Sequence, residues 1–270
     1  MTEQAQSHDA LAAITQDFDK APGHWILARM GKRVLRPGGR ELTEKLVSAL
    51  NITPADDVVE FAPGLGFTAG LVLQRKPRSY VGIERDETAA AEARRILNGP
   101  SQRIVVGDVL RSGLDDACAS VVYGEAMLTM QADSHKLKIA QEAVRLLRPG
   151  GRYGIHELCL KPDDIALERK QGVQRDLAHA IRVNARPLTV AEWQAILTEA
   201  GLRVEHIFTN PMHLLKPARM VSDEGVGRAL SIAFNILRTP AARRRILQMR
   251  AVFNRYADHL GAVAIVAVKL

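Results

Sequence analysis

Five short apolar runs recur along this chain at intervals of about 20 to 30 residues: VVEFAP from 58, SYVGIE from 79, RIVVGD from 103, ASVVYGEA from 119 and GRYGIHEL from 151. Stretches with helical spacing, such as ETAAAEARRIL and KLKIAQEAVRLL, lie between them. This alternation is the pattern of βα units, in which helices carry the chain from one parallel strand to the next. The runs are apolar almost throughout, as strands covered on both faces must be.

Ahead of the first run, Leu42, Leu46, Val47 and Leu50 share one helical face. Beyond Leu158 the rhythm breaks. Residues 159–190 predict a charged helical insertion, and TVAEWQAILTEAGL follows, with Thr189 as a cap and Gly201 as a stop. LRVEHIFT from 202 and LGAVAIVAVKL from 260 predict two more strands. In the gap, Val226, Leu230, Ala233, Phe234 and Leu237 mark one amphipathic helix and Ile246, Met249, Phe253 and Tyr256 a second, divided by Thr239 and Pro240. With 270 residues, 47% of them hydrophobic, the chain can bury one large core and a small cap. The expected division is an N-terminal helical lid over 1–39, a cofactor-binding core over 40–158, and a remainder over 159–270 with a helical cap at about 210–259.

The start MTEQAQSHDA lacks the basic and apolar regions of a secretory signal, and GAVAIVAV is too short to cross a bilayer, so a soluble cytoplasmic protein is expected. Cys118 and Cys159 form no CxxC pair and have no ligand cluster around them, so neither a disulfide framework nor a metal site is expected. The net charge of +7 is local: from Pro211 onward ten Lys and Arg face three acids, while the preceding residues balance.

The motifs lie at the ends of the apolar runs. In VVEFAPGLGFTAG a strand delivers Glu60 and turns through Pro63, Gly64 and Gly66 into a helix, where side chains would keep the backbone from a ligand across the strand ends. A dinucleotide fingerprint shares this logic. VGIERD ends its strand at Glu84, where a carboxylate can take two ribose hydroxyls, as an NAD enzyme would also require. IVVGDVL then places Asp108 where a carboxylate can take the adenine amino group while Val109 packs on the ring.

Taken together, Glu60 with Gly64 and Gly66, Glu84, Gly107 with Asp108, and LLRPGGRY before the fifth strand closely resemble the successive motifs of class I S-adenosylmethionine-dependent methyltransferases, especially the small-molecule group. The resemblance implies an α/β fold with a seven-stranded, mostly parallel, doubly wound sheet in the order 3-2-1-4-5-7-6 and helical lid insertions. It implies S-adenosylmethionine as cofactor and S-adenosylhomocysteine as product. By position it assigns Glu60, Ala62, Gly64, Gly66, Glu84, Arg85, Asp108, Val109 and Glu125 to the cofactor, with Glu125 near the sulfonium. One departure stands out: Ala62 occupies the family's first loop glycine, which is tolerable if its φ is negative.

A base is needed only if the acceptor must lose a proton. Glu125 and His156 are the catalytic candidates, with Glu157 and His135 nearby. Met127, Leu128 and Met130 suit an apolar acceptor, and the basic clusters an anionic one. Arg243, Arg244 and Arg245, with Arg29, Lys32, Arg33, Arg36 and Arg40, raise the alternative of a nucleic-acid methyltransferase. Against it, the fourth strand ends YGEA and no RNA-binding module is recognisable. The sequence is also compatible with a non-catalytic cofactor-binding subunit, and its basic helices with peripheral membrane contact. Residues 1–36 and the helices between 210 and 259 are expected to cover the acceptor, so that losing 1–36 leaves the sheet folded but stops methyl transfer.

Overall fold

The protein, described by a computed structural model over residues 17–270, folds the βα repeat into one sheet. β1 (Asp57–Phe61), β2 (Ser79–Glu84), β3 (Gln102–Val106), β4 (Ala119–Glu125) and β5 (Leu147–Leu160) run parallel. A two-residue strand, β6 (Leu188–Thr189), pairs with β5 off the main path. β7 (Leu202–Pro211) and β8 (Leu260–Lys269) close the sheet antiparallel, giving the order β3-β2-β1-β4-β5-β8-β7. The seven long strands follow the expected order; the last two numbers rise by one because β6 takes a place in the count.

Strand side chains alternate between the faces. Val59, Phe61, Val122, Ile155 and Ile265 share one cluster with Ile139, Trp193 and Leu197 of helices Asp133–Leu146 and Val190–Glu199. Val58, Tyr80, Val121, Tyr123 and Val266 share the other with Leu42, Leu46, Val47 and Leu50 of helix Gly39–Ala49. Thr189 caps helix Val190–Glu199 in a reciprocal box with Glu192, and Gly201 follows that helix with φ +92°.

A third cluster sits beyond the sheet. Ile26, Leu27 and Met30 pack with Leu158, Leu160, Val173 and Leu177 and with Ile246, Met249 and Phe253 of helix Pro240–Arg255. The N-terminal segment therefore belongs to a core. It is also clasped from outside: Glu224 Oε1 accepts from the amides of Arg33 and Val34 at 2.8 Å, and Asp223 Oδ1 accepts from Arg40 at 2.9 Å. Fully buried Lys32 sits 3.6 Å from both acids. Losing residues 17–36 would strip these contacts from the fold, so the expectation of an intact truncated protein is revised; residues 1–16 of that lid lie outside the described residues.

The two cap helices behave differently. In Pro240–Arg255 the expected stripe of Ile246, Met249 and Phe253 faces inward. In Val226–Arg238 the buried side chains are Ala229 and Ile232, and the stripe of Val226, Leu230, Phe234 and Leu237 faces solvent.

Candidate active site

β1 ends at Phe61, and the chain turns through Ala62, Gly64 and Gly66 into helix Phe67–Leu73. All three turn residues are left-handed, with φ +54°, +58° and +79°. The expected condition for a tolerable Ala62, a negative φ, is therefore not met. The Ala62 amide donates to Ile83 O of β2 at 2.8 Å in a backbone conformation that is costly for an L side chain. Ala126, just after β4, repeats the device with φ +54°, its amide donating to His156 O at 2.7 Å. Such outliers concentrate at functional sites. The two glycines have different tasks. A Cβ on Gly66 would meet Ile96 at 2.7 Å, so its bareness serves packing. A Cβ on Gly64 would meet nothing within 4 Å, so open space lies before the loop.

Buried Glu84, at the end of β2, accepts from the Gly64 amide through Oε2 and from the Asp86 amide through Oε1, both at 3.0 Å. Each oxygen keeps a lone pair for a ligand hydroxyl. Glu84→Ala is expected to weaken S-adenosylhomocysteine binding by about 1 to 3 kcal/mol, roughly 5- to 150-fold. Calorimetry would check it, and an unchanged Kd would place the ribose elsewhere. Arg85 beside it is exposed. Past β3, exposed Asp108 accepts from the Leu110 amide at 2.9 Å, and Val109 is buried in the core.

Glu60 is buried between two tyrosines: the hydroxyl of Tyr80 donates to Oε2 at 2.5 Å and that of Tyr123 at 2.6 Å. Burial pushes its carboxyl up to about 7, against the lowering pull of both hydroxyls and of Arg36.

Glu125, at the end of β4, is the centre of a buried polar cluster. Oε2 accepts from Arg36 Nε at 2.5 Å and from the Thr68 hydroxyl; Oε1 accepts from the Thr43 hydroxyl at 2.8 Å and lies 2.7 Å from His156 Nδ1. Burial alone would push this carboxyl up; the Arg36 guanidinium first, then His156 and Thr68, outweigh it and hold it well below the usual range. His156 pairs directly with Glu125 across β4 and β5, and its Nε2 faces Pro37 O at 2.5 Å. Both ring nitrogens thus face acceptors inside the protein, and the ring is fully buried. This arrangement suits holding Glu125 and not taking a proton from a substrate.

Glu157 is equally committed: it accepts from the amides of Met127, Leu128 and Thr129 and from the Thr129 hydroxyl, shaping the loop after β4. Half-buried His135 starts helix Asp133–Leu146.

Between the strand ends and the helical cap lies a cavity. Its wall joins Leu27, Leu35, Met130, Leu158, Met212, Leu214, Met249 and Phe253, and among the described residues the only polar side chains in it are His24 and Thr129. Pro37 and Ala126, which follow Arg36 and Glu125, bring the cavity up to the polar cluster. Of the expected pocket trio, Met130 lines the wall, whereas Met127 and Leu128 belong to the core. The basic clusters do not line it. Lys32 is in the clasp, Arg36 holds Glu125, and buried Arg245 donates to the carbonyls of Phe18 and Ala180 at 3.1 Å.

Strand ends bearing acids around a glycine turn and an adjoining apolar cavity agree with what known proteins show. Residues 58–151 match the family described as a methyltransferase domain. The chain is 32% identical over 251 residues, 92% of its length and 98% of the relative's, to an uncharacterised protein of Haemophilus influenzae. The chain belongs to the class I S-adenosylmethionine-dependent methyltransferases. Among other relatives of this methyltransferase, the ribosomal RNA small subunit methyltransferase A of Gloeobacter violaceus is 31% identical over 99 residues, 36% of this chain and 35% of that one. The 27-O-demethylrifamycin SV methyltransferase of Amycolatopsis mediterranei is 26% identical over 168 residues, 61% and 60% of the two chains. In fold, the methyltransferase resembles phosphoethanolamine N-methyltransferase 2 of Haemonchus contortus, with a TM-score of 0.71 at 14% identity over 97% of this chain and 60% of that one.

Four residues of the methyltransferase's polar site carry no local signal in the sequence. Arg36, Thr43 and Thr68 reach Glu125 from 89, 82 and 57 residues away. His24 sits in a mixed aromatic and basic stretch whose partners are all distant. The acids at strand ends were legible because a strand end is a local event.

Proposed function

We propose that this methyltransferase carries the methyl group of S-adenosylmethionine to a small apolar acceptor held in the cavity, with Glu60, Ala62, Gly64, Gly66, Glu84, Arg85, Asp108, Val109 and Glu125 on the cofactor side. The carrying observation is the cavity wall, which among the described residues presents no charged side chain and two polar ones. An anionic acceptor would find no cation there. The rifamycin relative, named for a small-molecule acceptor, supports the same class.

Bound at these strand ends, the cofactor supplies an electrophilic methyl on a sulfonium, and correct placement of the acceptor provides much of the acceleration. Gly64 leaves room for its approach, and Glu84 and Asp108 accept hydrogen bonds from its polar groups. The clasped segment 32–40 carries Arg36, which keeps Glu125 ionised against the site, and Pro37, which borders the cavity. The cap excludes water.

His24 is the group placed to take a proton from an acceptor hydroxyl or acidic carbon. Burial lowers its pKa to about 4, outweighing the raising pull of Asp86, so the ring is neutral at pH 7. His24→Gln is expected to lower kcat on such an acceptor roughly 100-fold or more while cofactor affinity holds. The wild-type rate should show no break near pH 6.5, the ordinary histidine value. A full rate for the variant would make His24 a wall residue only.

The proposed activity is tested by incubating the protein and radiolabelled S-adenosylmethionine with a whole-cell extract and fractionating the product. Label in the organic-soluble small molecules supports it. Label confined to RNA, or to water-soluble compounds, overturns it.

A further inference from the structure

We propose that the outer face of helix Val226–Arg238 docks on an anionic lipid surface. Val226, Leu230, Phe234 and Leu237 are 63%, 67%, 54% and 62% exposed, although the same helix buries Ala229 and Ile232. At the helical repeat of about 100° per residue, the four fall within an arc of about 80°, a continuous stripe along three turns. Single exposed apolar residues are ordinary; a row of them marks an interaction face. Leu247 of the neighbouring helix, 55% exposed, adds to the apolar surface of the cap.

Charge selects the partner. From Gly225 to Ala257 the chain has seven arginines and neither an acid nor a lysine. The acids just before, Asp223 and Glu224, are turned inward onto Lys32 and the N-terminal backbone, so they do not offset that charge at the surface. The Arg238 guanidinium lies over the Phe234 ring, 5.1 Å from its centroid, which puts a cation at the edge of the stripe. Arg243 and Arg250 are exposed on the next helix. A symmetric pairing of two copies through this face would set arginine against arginine with no acid between them. Lipid phosphates instead meet the arginines while the stripe enters the acyl boundary. Among the described residues no helix is long and apolar enough to cross a membrane, so the contact lies in the plane of the surface.

The docking helix is tied to the cavity. Asn235 Nδ2 donates to Met30 O at 3.1 Å in the N-terminal segment, and Met249 and Phe253 of the adjoining helix form part of the cavity wall. An apolar acceptor dissolved in the lipid would then have a short path to the site, a corollary that rests on the proposed function; the docking itself does not.

Flotation of the full chain with phosphatidylcholine vesicles, with and without added phosphatidylglycerol, tests the proposal without cofactor or acceptor, so its outcome is independent of methyl transfer. Wild type should float only with phosphatidylglycerol, and less at high salt, since each arginine near an anionic surface changes partitioning roughly fivefold. Leu230→Asp/Phe234→Asp, made at exposed positions and confirmed folded by circular dichroism, should lose at least tenfold, and Arg238→Glu/Arg243→Glu likewise. Wild type that fails to float, either variant floating like wild type, or a wild-type dimer in sedimentation that the Leu230/Phe234 variant dissolves would overturn it, the last because a second copy would then cover the stripe.

Discussion

Replacing Arg36 with methionine is expected to lower the unfolding free energy by about 3 kcal/mol at neutral pH. The Glu125 side chain is 2% exposed and its carboxylate has four partners, of which only Arg36 at 2.5 Å is a permanent cation. Methionine keeps much of the arginine stem's packing but leaves a buried carboxylate without that countercharge. Glu125 is held low in the folded state, so it stabilises above its ordinary value of 4.5, and that stabilisation is lost as pH falls below it. In the variant, burial would push the carboxyl above 4.5, so that the stability contributed by this group would rise, not fall, as pH drops. Urea unfolding of Arg36→Met, Glu125→Gln and the double variant measures the interaction. The double variant should recover most of the loss, because the neutral amide no longer needs the guanidinium. If the single effects simply add, the pair contributes nothing to the fold.

Glu60→Gln should make stability rise with pH between about pH 4.5 and 6.5, where the wild type shows little net slope. Desolvation raises the folded-state value of Glu60 from 4.5 to about 7, so in that window the folded protein binds the proton more tightly than the unfolded chain. Stability from this group alone therefore falls as pH rises, by about 3 kcal/mol across the window. His24 acts in the opposite sense: its value drops from 6.5 to about 4, the unfolded chain binds the proton more tightly, and stability rises with pH across that range. The wild type should show the difference of two opposed slopes. Glu60→Gln should leave the rising one and His24→Gln the falling one, read from urea midpoints between pH 5 and 7. A slope in Glu60→Gln identical to wild type would mean that the Tyr80 and Tyr123 hydroxyls hold an ionised carboxylate after all.

Both variants act on groups that the sequence displays unequally. Glu60, Glu84, Asp108 and Glu125 each follow a short apolar run, and in a parallel sheet every such run ends on the same side, so one-dimensional spacing is enough to gather them. Local patterns likewise anticipated the Thr189 cap and the inward stripe of Ile246, Met249 and Phe253, while the order of the seven long strands was implied by the family resemblance. Local reading went astray where the answer depended on a partner far along the chain. Ala62 is left-handed while its amide donates to Ile83 O of the neighbouring strand, a partner that lies 21 residues away. His156 looks available as a base in GRYGIHEL, yet β4 and the turn at Pro37 occupy both of its nitrogens.

By itself, then, the sequence determined the βα sheet, the glycine turn and the row of acids at its edge, since each depends on hydrophobic periodicity or turn chemistry within a few residues. Only the tertiary structure decided what lies across from that edge. The clasp around Lys32 brings in Arg36, and helices from both ends of the chain wall the cavity with His24 among apolar groups. It likewise decided that one amphipathic helix buries Ala229 and Ile232 and turns Val226, Leu230, Phe234 and Leu237 outward. Those placements come from packing between segments remote in sequence, and no local pattern records which of two faces a helix will bury.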